Sequence, residues 1–170
     1  CVIYITIGTG VGVGVWVNGG LLHGMLHPEG GHVFLPRHPK DPEGGICPYH
    51  KNCLEGFASG PAIEARWGKK AVELVDRPEV WELESYYIAQ ALVDYILVLS
   101  PQKIILGGGV MHQEQLFPMI RAKVLEMLNG YINTEELGDM DNYIVPASLK
   151  DNQGIMGCIK LGLNALDASR

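Results

Sequence analysis

The chain has 170 residues, a formal net charge of −6, and 47% hydrophobic against 19% charged residues. That length and apolar share suit one domain with its own core, or one lobe of something larger, and exclude a disordered chain. The acidic balance argues against general affinity for nucleic acid or for anionic membrane surfaces, both of which select basic patches.

Cys1 to Pro28 contain no Asp, Glu, Lys or Arg, so a membrane segment has to be weighed. Seven glycines interrupt the stretch and no basic flank precedes it. A signal peptide needs a positive n-region, and Gly8-Thr9-Gly10-Val11-Gly12-Val13-Gly14 is a poor helix in any solvent. A buried β-hairpin is expected instead. Residues 2–7 (VIYITI) are β-branched and read as a strand. Val11, Val13, Val15 and Val17 alternate with Gly12, Gly14 and Trp16 as a second strand, paired with the first through a tight glycine turn. Asn18-Gly19-Gly20 ends it. The chain opens with this strand already running, and is expected to be the C-terminal portion of a longer protein.

Leu21 to Cys53 has little periodicity and carries prolines at 28, 36, 39, 42 and 48. A loop of that length is uncommon in a compact domain unless function or a metal orders it. Ser59-Gly60-Pro61 reads as an N-cap and first turn of a helix ending near Trp67-Gly68. A longer helix is expected from about Glu82 to Leu99, with Ile88, Leu92, Tyr95, Ile96 and Leu99 on one face. Lys103–Leu106 is a short strand feeding Gly107-Gly108-Gly109. A helix with Leu116, Ile120, Val124 and Met127 on one stripe follows. Tyr143–Val145 is a further strand. Asp151 then caps a last helix bearing Ile155, Ile159, Leu163 and Leu166. A hairpin, a loop and then alternating helices and strands make the class α/β.

Chemistry concentrates between His32 and Glu55. Cys47-x-x-His50-x-x-Cys53 spaces three soft ligands as a zinc loop does, and His32 upstream is a candidate fourth, with His27 and His38 also near. Four protein ligands leave no open position for water, so such a site is structural. The remaining cysteines, Cys1 and Cys158, add no disulfide framework, and a reducing cytoplasm fits the set. Glu29 and Glu55 flank the loop; carboxylates accept pairs of hydroxyl hydrogen bonds, the polar contact a sugar offers most. The Gly8–Gly14 run matches neither the dinucleotide fingerprint nor a Walker A loop. Its residues leave open a phosphate-wrapping turn with the Thr9 hydroxyl, or a plain hairpin turn. Gly107–Gly109 sits at the carboxyl end of a strand, where ligands of open α/β sheets gather.

The stretches HPEGGHVFLPRHPKD and GICPYHKNCLEGFASGPAIEARWG closely resemble bacterial fructokinases of the ROK group (repressors, open reading frames and kinases), and the likeness runs over essentially the whole chain. Glu29-Gly30-Gly31-His32 matches the Glu-x-Gly-His element, and Cys-x-x-His-x-x-Cys resembles the fructokinase form of the group's zinc motif. The resemblance implies an actin-like, ribonuclease-H-like ATPase fold, with residues 1–170 as the C-terminal lobe of a two-lobe sugar kinase. It implies that Gly8, Thr9 and Gly10 form the second phosphate loop, and that Pro61, Gly107, Gly108, Gly109, Val110 and Met111 line the nucleotide. Glu29, His32 and Glu55 would face the sugar. Structural zinc would sit on His32, Cys47, His50 and Cys53, and Mg-ATP, a hexose and a homodimer partner are implied too. The implied reaction is phosphorylation of D-fructose to fructose 6-phosphate; mannose or glucose kinases and sugar-sensing repressors of the same group are the alternatives. The group's first phosphate loop and catalytic Asp lie upstream of the strand at residues 2–7. No residue here is therefore assigned as general base, and these residues alone are expected to bind zinc without phosphorylating.

Overall fold

The computed structural model of the chain describes residues 1–41, 43–149 and 152–168. Strands β1 (Val2–Ile7) and β2 (Val11–Val17) form the expected hairpin, antiparallel with Ile7 opposite Val11 and Val2 opposite Trp16. A two-residue strand β3 (Gly20–Leu21) extends it, while β4 (Lys103–Gly107) and β5 (Ile144–Pro146) pair in parallel on the other side. The sheet order is β3-β2-β1-β4-β5. The period-two pattern of β1 explains its place: Ile3, Ile5 and Ile7 are buried on one face, and Val2, Tyr4 and Thr6 are half-buried on the other.

Short helix α1 (Leu54–Ala58) follows the loop directly, then α2 (Gly60–Trp67) and the long α3 (Pro78–Leu99). The Ser59 cap is as expected, its Oγ accepting the Ala62 N–H at 3.3 Å. Helix α3 begins at Pro78 rather than near Glu82, because proline at the first turn costs no helical hydrogen bond. Strand β5 lies one residue later than expected. Helix α4 (Leu116–Leu128) packs along α3, and Arg121 on α4 donates from Nε and Nη2 to the Ile144 carbonyl at 3.0 and 2.8 Å, fixing β5. Short helices α5 (Glu135–Gly138) and α6 (Met140–Tyr143) lead into β5. Ile3, Ile5, Ile7, Ile88, Leu92, Ile104, Ile120 and Val124 share one buried cluster. Each such side chain contributes about 1.5–3 kcal/mol on full burial. The last helix, α7 (Gln153–Ala168), forms as expected, but its stripe of Ile155, Ile159, Leu163 and Leu166 is exposed. Its expected cap, Asp151, lies outside the described residues.

No helix among the described residues is long and apolar enough to cross a membrane. Among the described residues, the span from Leu21 to Cys53 is irregular as expected, apart from the end of β3 and one 3₁₀ turn at Gly30–His32. Its ends meet where Phe34 bridges Cys53 in antiparallel fashion.

Candidate functional site

The Phe34–Cys53 bridge brings the upstream histidine onto the downstream cysteines. Donor atoms of His32, Cys47, His50 and Cys53 all lie within 4.8 Å of one another. His32 Nδ1 is 3.9 Å from Cys47 Sγ and 3.6 Å from Cys53 Sγ, and His50 Nδ1 is 3.9 Å from Cys47 Sγ. Zinc bonds of about 2.3 Å to sulfur and about 2.0–2.1 Å to nitrogen put tetrahedral S···N pairs at about 3.6 Å. The cluster fits that ion. Both sulfurs also accept backbone N–H groups, Cys47 from His50 and Cys53 from Gly56, each at 3.4 Å, as thiolate ligands do. Burial raises the Cys47 thiol, but the amides of His50 and Tyr49 outweigh it and leave the group below the usual thiol range. Burial pushes Cys53 up to about 11. Of the three histidines near the loop, His32 is the one the fold selects. His27 pairs instead with Glu29, Nε2 to Oε1 at 3.0 Å, and His38 Nδ1 accepts the Lys40 N–H.

The two carboxylates differ. Glu29 is exposed and starts the 3₁₀ turn, its carbonyl accepting the His32 N–H at 3.0 Å. Glu55, in the first turn of α1, is half-buried. Its Oε1 lies 3.8 Å from His32 Nε2, and its Oε2 accepts the Val11 N–H at 2.9 Å. The 3₁₀ turn is held from the other side by Tyr95, whose hydroxyl donates to the Gly30 carbonyl at 2.7 Å.

The residues expected to face a nucleotide fall into two neighbouring cavities rather than one. Gly8, Thr9, Pro61, Gly109 and Val110 line a space of about 390 Å³ together with Gly60, Glu64 and Lys70. Gly107, Gly108 and Met111 line another of about 540 Å³ with His112, Phe117 and Arg121. Gly10 lines neither of these two and faces Glu55. Gly108 has a packing reason to be glycine: with φ at +92°, a Cβ there would lie 2.4 Å from the Ile7 carbonyl oxygen. The Gly8–Gly10 turn is pinned to α2, the Gly60 N–H donating to the Gly8 carbonyl at 2.7 Å.

Sequence reasoning missed a buried polar cluster behind the loop. Asp41 accepts the Tyr87 hydroxyl at 2.7 Å and pairs with Arg66 at 3.2 Å, and the Tyr87 oxygen accepts the His38 N–H at 3.1 Å. Arg66 also donates to the Phe57 carbonyl, and the Phe57 and Tyr87 rings stack at 4.2 Å. Burial raises Asp41, yet Tyr87 and Arg66 outweigh it and hold the carboxyl below its ordinary range. Glu84 is buried with no hydrogen-bond partner among the described residues, and desolvation raises it well above the ordinary carboxylate range. One signal was available. Glu84 lies four residues before Ile88, on the apolar stripe of α3, where a carboxylate is out of place.

Comparison with known proteins bears on family and fold. A putative fructokinase of Bacillus subtilis is 58% identical over 167 residues, covering 98% of this chain and 56% of that protein. A fructokinase of Pediococcus pentosaceus is 51% identical, covering 96% and 56%. The chain thus spans little more than half the length of these relatives. The crystal structure of a ROK hexokinase from Thermus thermophilus superposes with a TM-score of 0.74 at 24% identity, over 92% of this chain and 54% of that one, a likeness of fold. With the ROK family model matching residues 1–165, the chain belongs to the ROK family and shares the actin-like ATPase fold of its sugar kinases.

Proposed function

We propose that the chain is the C-terminal lobe of an ATP-dependent hexose kinase, and that the whole protein converts D-fructose to fructose 6-phosphate. One juxtaposition carries the reading: the His32–Cys47–His50–Cys53 cluster touches Glu55, Glu55 touches the Gly8–Gly10 turn, and that turn opens on the cavity of Thr9, Pro61 and Val110. The fructokinase names of relatives 58% and 51% identical support fructose as the substrate.

In this reading His32, Cys47, His50 and Cys53 hold a structural zinc, whose binding offsets the cost of ordering the loop. Glu29 and Glu55 accept hydrogen bonds from sugar hydroxyls. His32, with Nδ1 turned to the sulfurs, has Nε2 left for the sugar side. The Thr9 amide and hydroxyl face the phosphates of Mg-ATP from the turn that Gly8 and Gly10 close, the Gly8 N–H donating to the Gly10 carbonyl at 2.9 Å. Pro61, Gly109 and Val110 bound the nucleotide, with Gly107, Gly108 and Met111 backing it from the adjoining cavity. The sugar 6-hydroxyl attacks the γ-phosphorus in line and ADP departs, a reaction that positioning and charge neutralisation accelerate. The proton of that hydroxyl goes to an acidic group outside these residues. A cytoplasmic homodimer completes the proposal. A coupled ADP-release assay on the full-length protein with fructose, mannose and glucose tests it. Fructose is expected to give the highest kcat/KM, and sugar binding with no ATP turnover would turn the reading toward a sensor.

A further inference from the structure

We propose that Glu55 is a positioning residue that couples the metal loop to the nucleotide-facing turn, so that filling the Cys/His cluster orders Gly8–Val11. The inference rests on the zinc reading above and deepens it.

The coupling follows from where Glu55 sits. Cys53 is the N-cap of α1, its Sγ accepting the Gly56 N–H, so the helix that carries Glu55 starts on a cluster donor. The two carboxylate oxygens then have different partners. Oε1 lies 3.8 Å from Nε2 of His32, whose Nδ1 faces both sulfurs, and Oε2 takes the Val11 N–H at 2.9 Å. At that distance the carboxylate faces the His32 ring across a charge contact rather than a hydrogen bond, and the two side chains pack side by side at the cluster. Here the same carboxylate also closes the hairpin turn. The turn is built around it: a Cβ on Gly10 would lie 2.7 Å from Glu55 Oε2. A second route runs in parallel through the backbone. Gly31, the residue before His32, packs so closely on β2 that a Cβ there would lie 2.0 Å from the Val11 carbonyl oxygen.

Moving His32 therefore moves Glu55 and the 3₁₀ turn together, and both bear on Val11. From the far side the turn is held by Gly60, next to Pro61 in the nucleotide-facing cavity. The turn is a two-point clamp with one jaw set by the metal loop. A sugar contact alone gives Glu55 no reason to spend an oxygen on the Val11 amide.

The test uses amide hydrogen exchange of residues 8–12 and ADP affinity by calorimetry in the zinc-loaded full-length protein. Glu55→Ala is expected to speed exchange at Val11 by about tenfold or more, the scale of a lost charge-assisted hydrogen bond, and to weaken ADP, while zinc content by elemental analysis stays unchanged. Stripping zinc from the wild-type protein is expected to speed the same amides. Gly10→Ala keeps the carboxylate but displaces it, and is expected to act in the same direction. It serves if Glu55→Ala does not fold. Unchanged exchange at residues 8–12 in the Glu55 or Gly10 variant, with only the sugar KM raised, would overturn the coupling. The exchange readout needs no turnover, so a protein that phosphorylates no hexose would defeat the kinase reading and leave this inference standing or falling on its own.

Discussion

Asp41→Asn is the substitution that most directly tests how the metal loop is anchored. Asp41 is 1% exposed, and its side chain and that of Arg66 are 0% and 4% exposed. Around it, the Tyr87 hydroxyl at 2.7 Å, Arg66 at 3.2 Å and the Glu43 N–H at 3.2 Å converge on the two carboxylate oxygens. An amide keeps the shape and one acceptor but removes the counter-charge of a guanidinium that water cannot reach. Breaking a buried pair from one side costs about 3–5 kcal/mol. Glu84 changes that figure. Its buried carboxyl is raised well above the ordinary carboxylate range by desolvation and lowered by the nearby Arg66 charge, so burial favours its neutral form beside an Arg66 already paired with Asp41. Once Asp41 is neutral, Glu84 becomes the partner that ionises, and it returns part of the loss. We expect Asp41→Asn to cost about 2–4 kcal/mol, below the full penalty for an orphaned charge. Glu84→Gln added to it should cost at least about 1 kcal/mol beyond the sum of the two single changes. Urea unfolding followed by circular dichroism, at pH 7 with zinc in excess so that metal linkage is constant, measures all three. A cost below about 1 kcal/mol for Asp41→Asn, or additivity within about 0.5 kcal/mol in the double variant, would refute the charge balance drawn here.

Other expectations are narrower. With zinc at the cluster as proposed, Cys53→Ser should lose it, because a hydroxyl does not replace a buried thiolate ligand; full metal content by elemental analysis would remove Cys53 from the ligand set. Glu84→Gln should change the pH dependence of stability with a definite sign. The folded-state Glu84 is raised above its unfolded value near 4.5, so its stabilisation is present at low pH and lost as pH rises toward the folded value. The Gln variant should therefore gain on the wild type as pH goes from 4.5 upward, and melting curves that stay parallel from pH 4.5 to 8 would contradict this. Under the proposed kinase reading, Glu29→Ala in the full-length protein should raise the sugar KM by roughly tenfold, the effect of a lost carboxylate–hydroxyl contact, with the ATP KM unchanged. A rise confined to the ATP KM would move Glu29 off the sugar side.

What was legible in the sequence is what is local in it. The β1–β2 hairpin follows from alternating valines and glycines, and Cys47, His50 and Cys53 announce themselves because one short loop supplies all three donors. His32 could not be separated from His27 and His38 by spacing. The choice is made by the Phe34–Cys53 bridge, a tertiary contact. Glu55 was legible as a carboxylate beside the cluster but not as the acceptor of an amide 44 residues away. Likewise Asp41 meets Tyr87 across 46 residues, and no window of the sequence holds both. The splitting of the glycine-rich segment at 107–109 was hidden for a different reason. Gly108 is held to glycine by the backbone of a neighbouring strand, a cause that composition does not distinguish from the approach of a ligand.

The irregular loop and the buried ion pair belong to one physical problem. Ordering a residue of backbone costs about 1–2 kcal/mol, so a long loop with almost no internal ladder must be held from outside. A cluster at His32, Cys47, His50 and Cys53 fixes the two ends, yet leaves the 14 residues between His32 and Cys47 spanning the gap. Asp41, with the His38 amide on Tyr87, ties the middle of that gap to α2 and α3 and divides it into two short arcs. Closure of the chain by a metal at that cluster would then be a matter of two small loops rather than one larger one. The anchor is ionic rather than apolar because the segment it grips, between Pro36 and Glu43, offers no large apolar side chain to bury. Its direction matters as well, since hydrogen bonds from Tyr87 and Arg66 fix the angle at which the loop leaves the core, and an apolar contact of the same strength would not.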